Sequence, residues 1–406
     1  MPGTPPEGTP VPSDGRLPAK SLDQLDAIPF GLYVHVPFCA SRCGYCDFNT
    51  YTASELGGGA SRDSYASLAV AEIGLARKVL GPAAPAISTV FFGGGTPTLL
   101  PPGDLAAIVR AIGAEFGLAD GAEVTTEANP ESVDQHALAE LRDAGFTRIS
   151  LGMQSAASHV LGVLDRVHSP GRAERCVAWA RSAGFEHVSL DLIYGTPGES
   201  AQDWDLSVRS AIEAGPDHIS AYALIVEEGT RLAARIRRGE LPAPDDDEMA
   251  DRYLAAEDML SAAGMSWYEV SNWATGPDAA CRHNLLYWTG GNWWGVGPGA
   301  HSHIGGTRWW NVRHPAAYGS RIAAGVSPGQ AREVLTETER RTERILLETR
   351  LAAGCPRALL SPAGESAAAA AVADGLAEKA AFEAGRVVLT TAGRLLADAV
   401  IRGLTD

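Results

Sequence analysis

Three cysteines lie close together near the start of the chain, at Cys39, Cys43 and Cys46, with the spacing C-x3-C-x2-C. Thiolates are soft ligands that suit zinc or an iron–sulfur cluster. A structural zinc site needs a fourth cysteine or histidine nearby, but Cys46 is followed by Asp47 and Phe48. A four-iron cubane held by three cysteines leaves one iron open to another ligand. The spacing therefore favours a 4Fe-4S cluster over a zinc site and over three unrelated buried cysteines.

The chain around these cysteines alternates between short β-branched or aromatic runs and longer amphipathic stretches, from about residue 30 to residue 225. The runs are LYVHV, STVFF, EVTTE, RISLG, VSLDLIY and HISAYAL. Strands that alternate with helices predict right-handed crossovers and a parallel sheet. Six such units predict an α/β fold built on a partial (β/α)6 TIM-like barrel, because a closed eight-unit barrel would need more strands.

Polar or glycine-rich positions follow the end of these runs. In chain order they are the cysteines, Gly93–Pro97, Glu127 with Asn129, and Gln154, while Asp191 lies at the fifth run itself. The carboxyl ends of the strands carry the chemistry in parallel barrels. The sequence therefore predicts an active site on this rim.

Composition changes along the chain predict four parts. Residues 1–28 are rich in proline and glycine and are predicted to be a disordered tail, and residues 29–240 form the barrel. Residues 241–328 form an extension rich in aromatic residues and histidine, since 266–310 hold seven of the nine tryptophans. Residues 329–406 are predicted to form a small helix-rich, winged-helix-like C-terminal domain.

Charge and hydropathy exclude several classes of protein. The net charge is −16, and no lysine- or arginine-rich stripe is present, which argues against a nucleic-acid partner. No apolar run is long enough to span a bilayer, and the N-terminus lacks the pattern of a secretory signal. The other three cysteines are scattered singly. We expect a cytoplasmic protein that is not integral to a membrane.

The stretch YVHVPFCASRCGYCDF resembles the signature of the radical S-adenosylmethionine superfamily, and HVPFC and GGGTP resemble its anaerobic coproporphyrinogen oxidase family. The similarity spans roughly residues 30–330. It implies that the amino and carboxylate groups of S-adenosylmethionine chelate the open iron of the cluster. The residues that match cofactor contacts in the family are Tyr33, Tyr45, Gly94, Gly95, Thr96, Glu127, Gln154, Arg166 and Asp191.

A second motif, HNLLYW, begins at His283. His283 and Tyr287 are four residues apart, so they share one face of a predicted helix. From the residues alone, an aromatic packing patch is an equal alternative to a binding site. The motif resembles the HNxxYW sequence of the haem-chaperone branch, the HemW subfamily. Phe48 agrees with this branch, because the decarboxylating oxidases have another cysteine there. The resemblance implies that haem contacts His283, Asn284, Tyr287 and Trp288.

The sequence therefore predicts a haem chaperone that carries a 4Fe-4S cluster and exchangeable S-adenosylmethionine, and that passes haem to an acceptor protein. His301 and His303 are further candidate haem contacts. The main alternative is an oxygen-independent coproporphyrinogen III oxidase, in which a radical from S-adenosylmethionine abstracts hydrogen from a propionate. A zinc-stabilised binding module is a third possibility. No C-x-x-C-H is present, so covalent haem attachment is not predicted.

Overall fold

The protein is described by a computed structural model that covers residues 7–23, 25, 28–56, 61–166, 169 and 171–405. The strands are β1 (Thr9–Pro10), β2 (Phe30–Val36), β3 (Ile87–Gly94), β4 (Leu118–Ala128), β5 (Arg148–Gln154), β6 (His187–Tyr194), β7 (His218–Ala223), β8 (Ser266–Glu269), β9 (Asn272–Ala274), β10 (Asn292–Val296), β11 (His301–Ile304), β12 (Thr307–Asn311), β13 (Gly329–Val334), β14 (Cys355–Pro356) and β15 (Arg386–Val387).

Helices cover the sheet and form most of the C-terminal region. They are α1 (Ala19–Leu22), α2 (Arg62–Leu80), α3 (Pro102–Phe116), α4 (Gln135–Asp143), α5 (Ser158–Val163), α6 (Arg172–Ser182), α7 (Ala201–Glu213), α8 (Arg231–Arg237), α9 (Asp246–Ala262), α10 (Arg282–Trp288), α11 (Pro315–Ala323), α12 (Glu337–Glu348), α13 (Pro362–Ala373), α14 (Lys379–Glu383), α15 (Thr391–Leu395) and α16 (Ala397–Thr405). Short 3-10 turns lie at Pro97–Leu99, Pro130–Ser132, Pro277–Ala279 and Arg357–Leu359. No helix in the described part of the chain is long and apolar enough to cross a membrane.

The centre of the main sheet consists of β2 to β7, which lie side by side in chain order and are parallel. Their inner side chains are fully buried, for example Leu32, Phe92 and Ile149. Strands covered on both faces need apolar side chains on both, and this produces the runs seen in the sequence. The predicted α/β class with six parallel βα units is confirmed.

The later part of the chain extends this sheet next to its first strand. Strand β10 pairs in parallel with β2, and β11, β12 and β13 follow in antiparallel order. On the other side, β9 and β8 continue the sheet beyond β7. The predicted domain boundary at residue 328 therefore falls immediately before β13, a strand of the same sheet. This arrangement brings the loop before β11 to the first strand, β2, where the cysteine segment begins.

The N-terminal segment differs from the disordered tail predicted for residues 1–28. Strand β1 pairs with β13, with Thr9 opposite Arg332. The buried Ser21 hydroxyl lies 2.7 Å from the hydroxyl of Thr307. An edge strand exposes unpaired backbone groups, and β13 offers these groups to the tail. Residues 1–6, 24, 26 and 27 lie outside the described residues.

The C-terminal helices α12 to α16 enclose a separate small core with the two-stranded sheet of β14 and β15. Its buried members include Ile345, Cys355 and Ile401. The helix-rich C-terminal part that the sequence predicted is thus present. It contacts the rest of the protein through the backbone of Leu351, which forms a bridge to Glu269.

Candidate functional site

A large cavity, with a volume of about 1360 Å³, runs from the carboxyl ends of β2 to β7 into the interior of the parallel sheet. The predicted residues that line it are Tyr33, Cys39, Cys43, Tyr45, Cys46, Gly94, Gly95, Thr96, Glu127, Gln154, Arg166, Asp191, His283, Asn284 and Tyr287. The cysteine loop, the strand ends and the HNLLYW segment therefore share one space. The functions assigned to these residues stay predictions.

The cysteine loop is held at its two ends by backbone hydrogen bonds. The Cys39 N–H donates to the carbonyl of Tyr51 at 3.0 Å, and the Gly44 N–H donates to Leu164 at 3.0 Å. Burial and the neighbouring Cys46 raise the pKa of the Cys39 thiol to about 11. Thiolates in this loop would repel one another, so they need a bound cation. Among the described residues, no three histidine, cysteine or acidic side chains are grouped so that they could hold a single metal ion.

The GGGTP turn after β3 is fixed against the chain that leads into the cysteine loop. The Gly95 N–H donates to Val36 at 2.8 Å, and the Thr96 N–H donates to Phe38 at 2.7 Å. A Cβ on Gly95 would lie 2.4 Å from the Phe38 carbonyl oxygen. Only glycine allows the two backbones to approach this closely. The turn therefore places its backbone directly beside the cysteine loop.

Arg166 reaches from the end of α5 toward the same loop. Its Nη1 lies 3.6 Å from the Cys43 sulfur, and its Nη2 donates to the Gly152 carbonyl at 3.2 Å. Its Nε is buried and has no partner among the described residues. The guanidinium therefore supplies a positive charge next to one predicted cluster ligand. It also retains a donor for a further group.

Two partly buried carboxyl groups, Glu127 on β4 and Asp191 on β6, line the cavity. Burial and the charge of Asp191 raise the pKa of Glu127 to about 8, although the Gly94 N–H donates to Glu127 at 3.2 Å. Burial raises the pKa of Asp191 to about 6, against the effect of the Ser150 hydroxyl at 2.9 Å. A cationic group of a ligand would stabilise both ionised forms. This part of the cavity is therefore suited to an ammonium or sulfonium group.

The Glu127→Gln variant should show how much the partly buried carboxyl group of Glu127 lowers the free energy of unfolding when it is ionised. The ordinary pKa of 4.5 is lower than the folded value of about 8, so the unfolded chain loses its proton first. Stability from this group is therefore present below about pH 4.5 and is lost as the pH rises toward 8. Between pH 5 and pH 8, we expect the free energy of unfolding of Glu127→Gln to rise by about 1–3 kcal/mol relative to that of wild type.

Urea unfolding at both pH values measures this difference. Glu115→Gln, on an exposed part of α3, serves as the matched control and should track wild type. If the free energy of unfolding of Glu127→Gln differed from that of wild type by the same amount at pH 5 and at pH 8, the raised pKa of Glu127 would be contradicted.

Gln154 occupies an unusual backbone conformation at the end of β5. Its φ is +66°, and a register shift between β5 and β6 lies between Gly152 and Gln154. A non-glycine residue in the left-handed region is strained, and such strain is concentrated at functional sites. The distortion turns the Gln154 side chain into the cavity.

The imidazole of His283 is completely buried at the inner wall of the cavity. Its Nδ1 lies 2.8 Å from the Thr89 hydroxyl, and its Nε2 lies 2.8 Å from the Tyr287 hydroxyl. The ring stacks on Phe91, with 5.3 Å between the centroids. Burial lowers the pKa of His283 to about 3, so the ring is neutral. Both of its nitrogens are engaged in hydrogen bonds within the protein.

Trp288, which was predicted to contact haem together with His283, Asn284 and Tyr287, lies apart from the cavity that those three residues line. Its indole lies near enough to the buried Glu269 to act against the rise in the pKa of that carboxyl group, and Asn284 donates to the same group at 3.4 Å. Residues 284 and 288 share a different face of α10 from residues 283 and 287. Trp288 is absent from the residues that line the cavity, whereas Trp293 of β10 lies there.

A buried ion pair that the sequence analysis missed positions α10. The Glu123 carboxylate lies 3.0 Å from Arg148, and their side chains are 3% and 1% exposed. The same carboxylate accepts from the N–H groups of Arg282 at 3.2 Å and His283 at 3.0 Å. Free N–H groups at a helix start favour a negative partner. The sequence signal that could have revealed this pair is a charged residue in each of two neighbouring buried strands, Glu123 in β4 and Arg148 in β5, because such residues are rarely buried without a partner.

The opening of the cavity carries exposed apolar side chains. Phe48 is 59% exposed, Ile225 67% and Tyr222 42%, and all three line the cavity. Large exposed apolar groups that cluster at one opening mark a binding surface. The sequence analysis singled out Phe48 but not the other two, which follow or end β7.

Comparison with known proteins identifies the relatives of this chain. The family model for the radical SAM superfamily matches residues 33–211. The chain is 55% identical over 383 residues to "Heme chaperone HemW" of Mycobacterium tuberculosis, which covers 94% of this chain and 96% of the relative. It is 36% identical over 276 residues to the Escherichia coli protein of the same name, with 68% and 70% covered.

One solved structure has the same fold over nearly the whole chain. It is the Escherichia coli coproporphyrinogen III oxidase HemN, with a TM-score of 0.80 and 20% sequence identity. The likeness covers 95% of this chain and 92% of that protein. At this identity the comparison shows the shared architecture.

Proposed function

The chain belongs to the HemW family of the radical S-adenosylmethionine superfamily, and from this membership we propose that it is a haem chaperone that binds haem and transfers it to an acceptor protein. The observation that carries the proposal is the single cavity of about 1360 Å³. It joins the three-cysteine loop to a wall of histidine and aromatic side chains. A flat, mainly apolar macrocycle requires such a wall, together with a nitrogen ligand for its iron.

We propose that Cys39, Cys43 and Cys46 hold a 4Fe-4S cluster. Their thiols have no disulfide partner and line the cavity. Arg166 lies within reach of Cys43 and offsets its negative charge. When bound, the cluster supplies an iron atom with an open coordination position. The residues present fit this group, since thiolates with an adjacent cation are the expected environment.

The neighbouring residues fit S-adenosylmethionine, which carries a carboxylate, an ammonium and a sulfonium group. Glu127 and Asp191 provide two partly buried carboxyl groups, and the cationic groups of the ligand would stabilise their ionised forms. Gly94, Gly95 and Thr96 offer a backbone surface at the same rim. Tyr33 lines the adjacent wall, and its hydroxyl lies 3.0 Å from His35.

Tyr45 completes this rim between the last two cysteines. It packs against the apolar group formed by Leu164, Ile193, Leu224 and Leu232. This contact fixes its ring next to the cysteine loop. We propose that Tyr45 and Gln154 shield the cofactor from solvent and orient it. Neither side chain gains or loses a proton or forms a covalent bond in this role.

The alternative function is oxygen-independent coproporphyrinogen III oxidation. The structural likeness to HemN concerns the fold, and the residue after Asp47 favours the chaperone. The oxidases have a cysteine there, whereas this chain has Phe48, which is exposed at the opening of the cavity. The apolar ring of Phe48 can pack against a flat macrocycle, but it cannot do the chemistry of a cysteine thiol.

An anaerobic comparison of two porphyrin compounds tests the proposal. We expect the purified protein with its cluster to bind haem saturably, which produces a Soret band. With coproporphyrinogen, S-adenosylmethionine and a reductant, we expect no decarboxylated product. Robust release of carbon dioxide and formation of protoporphyrinogen would establish the oxidase and overturn the chaperone.

A further inference from the structure

We infer that His301, rather than His283 of the HNLLYW motif, supplies the imidazole that ligates the haem iron. This inference rests on the proposed haem-binding function and deepens it. It follows from which histidines can offer a free ring nitrogen to the cavity. Four histidines line the cavity, namely His35, His218, His283 and His301, and His303 packs on Trp293, which also lines it. Both ring nitrogens of His35 are engaged, with Tyr33 and the Asn49 carbonyl at 3.0 Å, and both of His218 are engaged, with Ser189 at 2.7 Å and Tyr268 at 2.8 Å. His283, His301 and His303 remain to be compared.

His283 is the least available of the three. It is 0% exposed, and its two ring nitrogens contact Thr89 and Tyr287, both at 2.8 Å. Binding an iron would require the Nε2 atom to give up Tyr287 and leave its stack with Phe91. A buried hydroxyl would then lose its partner, which costs free energy.

His303 is also held in place. Its Nδ1–H donates to the Gly291 carbonyl at 2.7 Å, and its Nε2 accepts from the Gly306 N–H at 3.2 Å. The Trp293 ring packs on it, with centroids 5.2 Å apart. The tryptophan faces the cavity, and His303 does not line it.

His301 has the opposite environment. It is exposed and lines the cavity, and neither of its ring nitrogens has a hydrogen-bond partner within the described residues. Its ring lies nearly parallel to the indole of Trp310, at 25° and 5.9 Å between centroids. Trp310 is its cross-strand neighbour on β12. The indole therefore supports the imidazole from one side and leaves its nitrogens free for an incoming metal.

The loop that leads into His301, the first residue of β11, is attached to the segment that follows the cysteines. Asn49 donates from Nδ2 to the carbonyls of Pro298 at 3.0 Å and Arg313 at 2.9 Å. A Cβ on Gly299 would lie 2.4 Å from the same nitrogen, so the two loops are in close contact. His301 thus lines the same cavity as the three cysteines and Phe48, next to a loop that is bonded to the cysteine segment.

The HNLLYW segment then has a positioning role. Tyr287 contacts Trp293 edge to face at 4.6 Å, and the Trp293 indole N–H donates to the His301 carbonyl at 3.0 Å. His283 holds the Tyr287 hydroxyl from the other side. A change at His283 therefore reaches His301 through three successive contacts, by way of Tyr287 and Trp293. We expect it to alter haem affinity while the iron keeps its imidazole.

The test compares His301→Ala, His283→Phe and the control His136→Ala in the protein with its cluster. His136 lies on α4 with an 81% exposed side chain. The ferric haem complex is followed by its Soret band and by low-temperature electron paramagnetic resonance of the haem iron. We expect His301→Ala to lose the histidine-ligated signal and about tenfold or more in affinity, since even outer-shell changes at metal sites cost about 10–100-fold.

Added imidazole should restore the spectrum of His301→Ala, and this rescue separates loss of a ligand from damage to the fold. His283→Phe should keep the signal of a histidine ligand, and His136→Ala should match wild type. If His301→Ala misfolds, His301→Gln is measured in its place. A wild-type spectrum and affinity in the His301 variant, or loss of the histidine signal only in His283→Phe, would overturn the assignment. A wild-type protein that binds no haem would overturn the proposed function itself.

Discussion

Alanine at Cys39, Cys43 or Cys46, introduced one at a time, should remove the iron–sulfur cluster. Three thiolates hold the proposed cubane, so losing one leaves an iron without its protein ligand. Cys176 is buried, its thiol contacts the Pro130 carbonyl at 3.4 Å and it does not line the cavity, so it offers no replacement. We expect iron, acid-labile sulfide and the broad visible absorption to fall from a full cluster to nearly none in each variant. Anaerobic purification followed by these three measurements gives the result.

Cys355→Ala is the matched control for this series. Its thiol is buried in the separate C-terminal core and has no place on the cavity. This variant should keep the full cluster content, with only the modest loss of stability expected when a small buried group is removed. A complete cluster in any of the three loop variants would refute the assignment of the ligands.

Arg148→Met should destabilise the protein by about 3–5 kcal/mol, because it leaves the carboxylate of Glu123 buried without its ion-pair partner. Arg148 also donates to the carbonyls of Ala279 at 2.8 Å and Ala280 at 3.1 Å, which lead into α10. The variant therefore also loosens the segment that contains HNLLYW. Urea unfolding followed by circular dichroism measures the free energy of unfolding. A haem titration measures the change in haem affinity that results from loosening the HNLLYW segment.

Lys379→Met provides the comparison with an exposed pair. Lys379 and Glu383 are 3.9 Å apart on α14, with side chains 79% and 67% exposed. Such a pair contributes about 0–1 kcal/mol, so this variant should unfold near the wild-type midpoint. If Arg148→Met unfolded at that midpoint as well, the pair with Glu123 would not be what positions α10.

The barrel could be predicted because its pattern is local. Buried parallel strands are apolar on both faces, so runs such as STVFF and VSLDLIY identify β3 and β6 directly. The location of the site could also be predicted, because functional side chains lie at the carboxyl ends of parallel strands. Glu127 and Asp191 were found in this way, and the structure places both on the cavity.

Long-range pairing escaped prediction. Strand β1 adds to β13, more than 300 residues later in the chain, and no local pattern in a proline-rich segment signals this. The contact between Glu123 and Arg148 likewise depends on the register of β4 and β5. Helical spacing correctly placed His283 with Tyr287, but it could not show which face of α10 meets the cavity. Trp288 was predicted to contact haem from its place in the motif, and the structure places it outside the residues that line the cavity.

Transfer of haem to an apo-haem protein tests the central claim most directly. The protein is loaded with one equivalent of haem under anaerobic conditions, freed of excess haem, and mixed with the apo-acceptor. The chaperone account predicts that the Soret band of the donor complex is replaced by that of the reconstituted acceptor, faster than haem leaves the donor alone. Haem that stays on this protein, or that reaches the acceptor only at the rate of spontaneous release, would contradict the account.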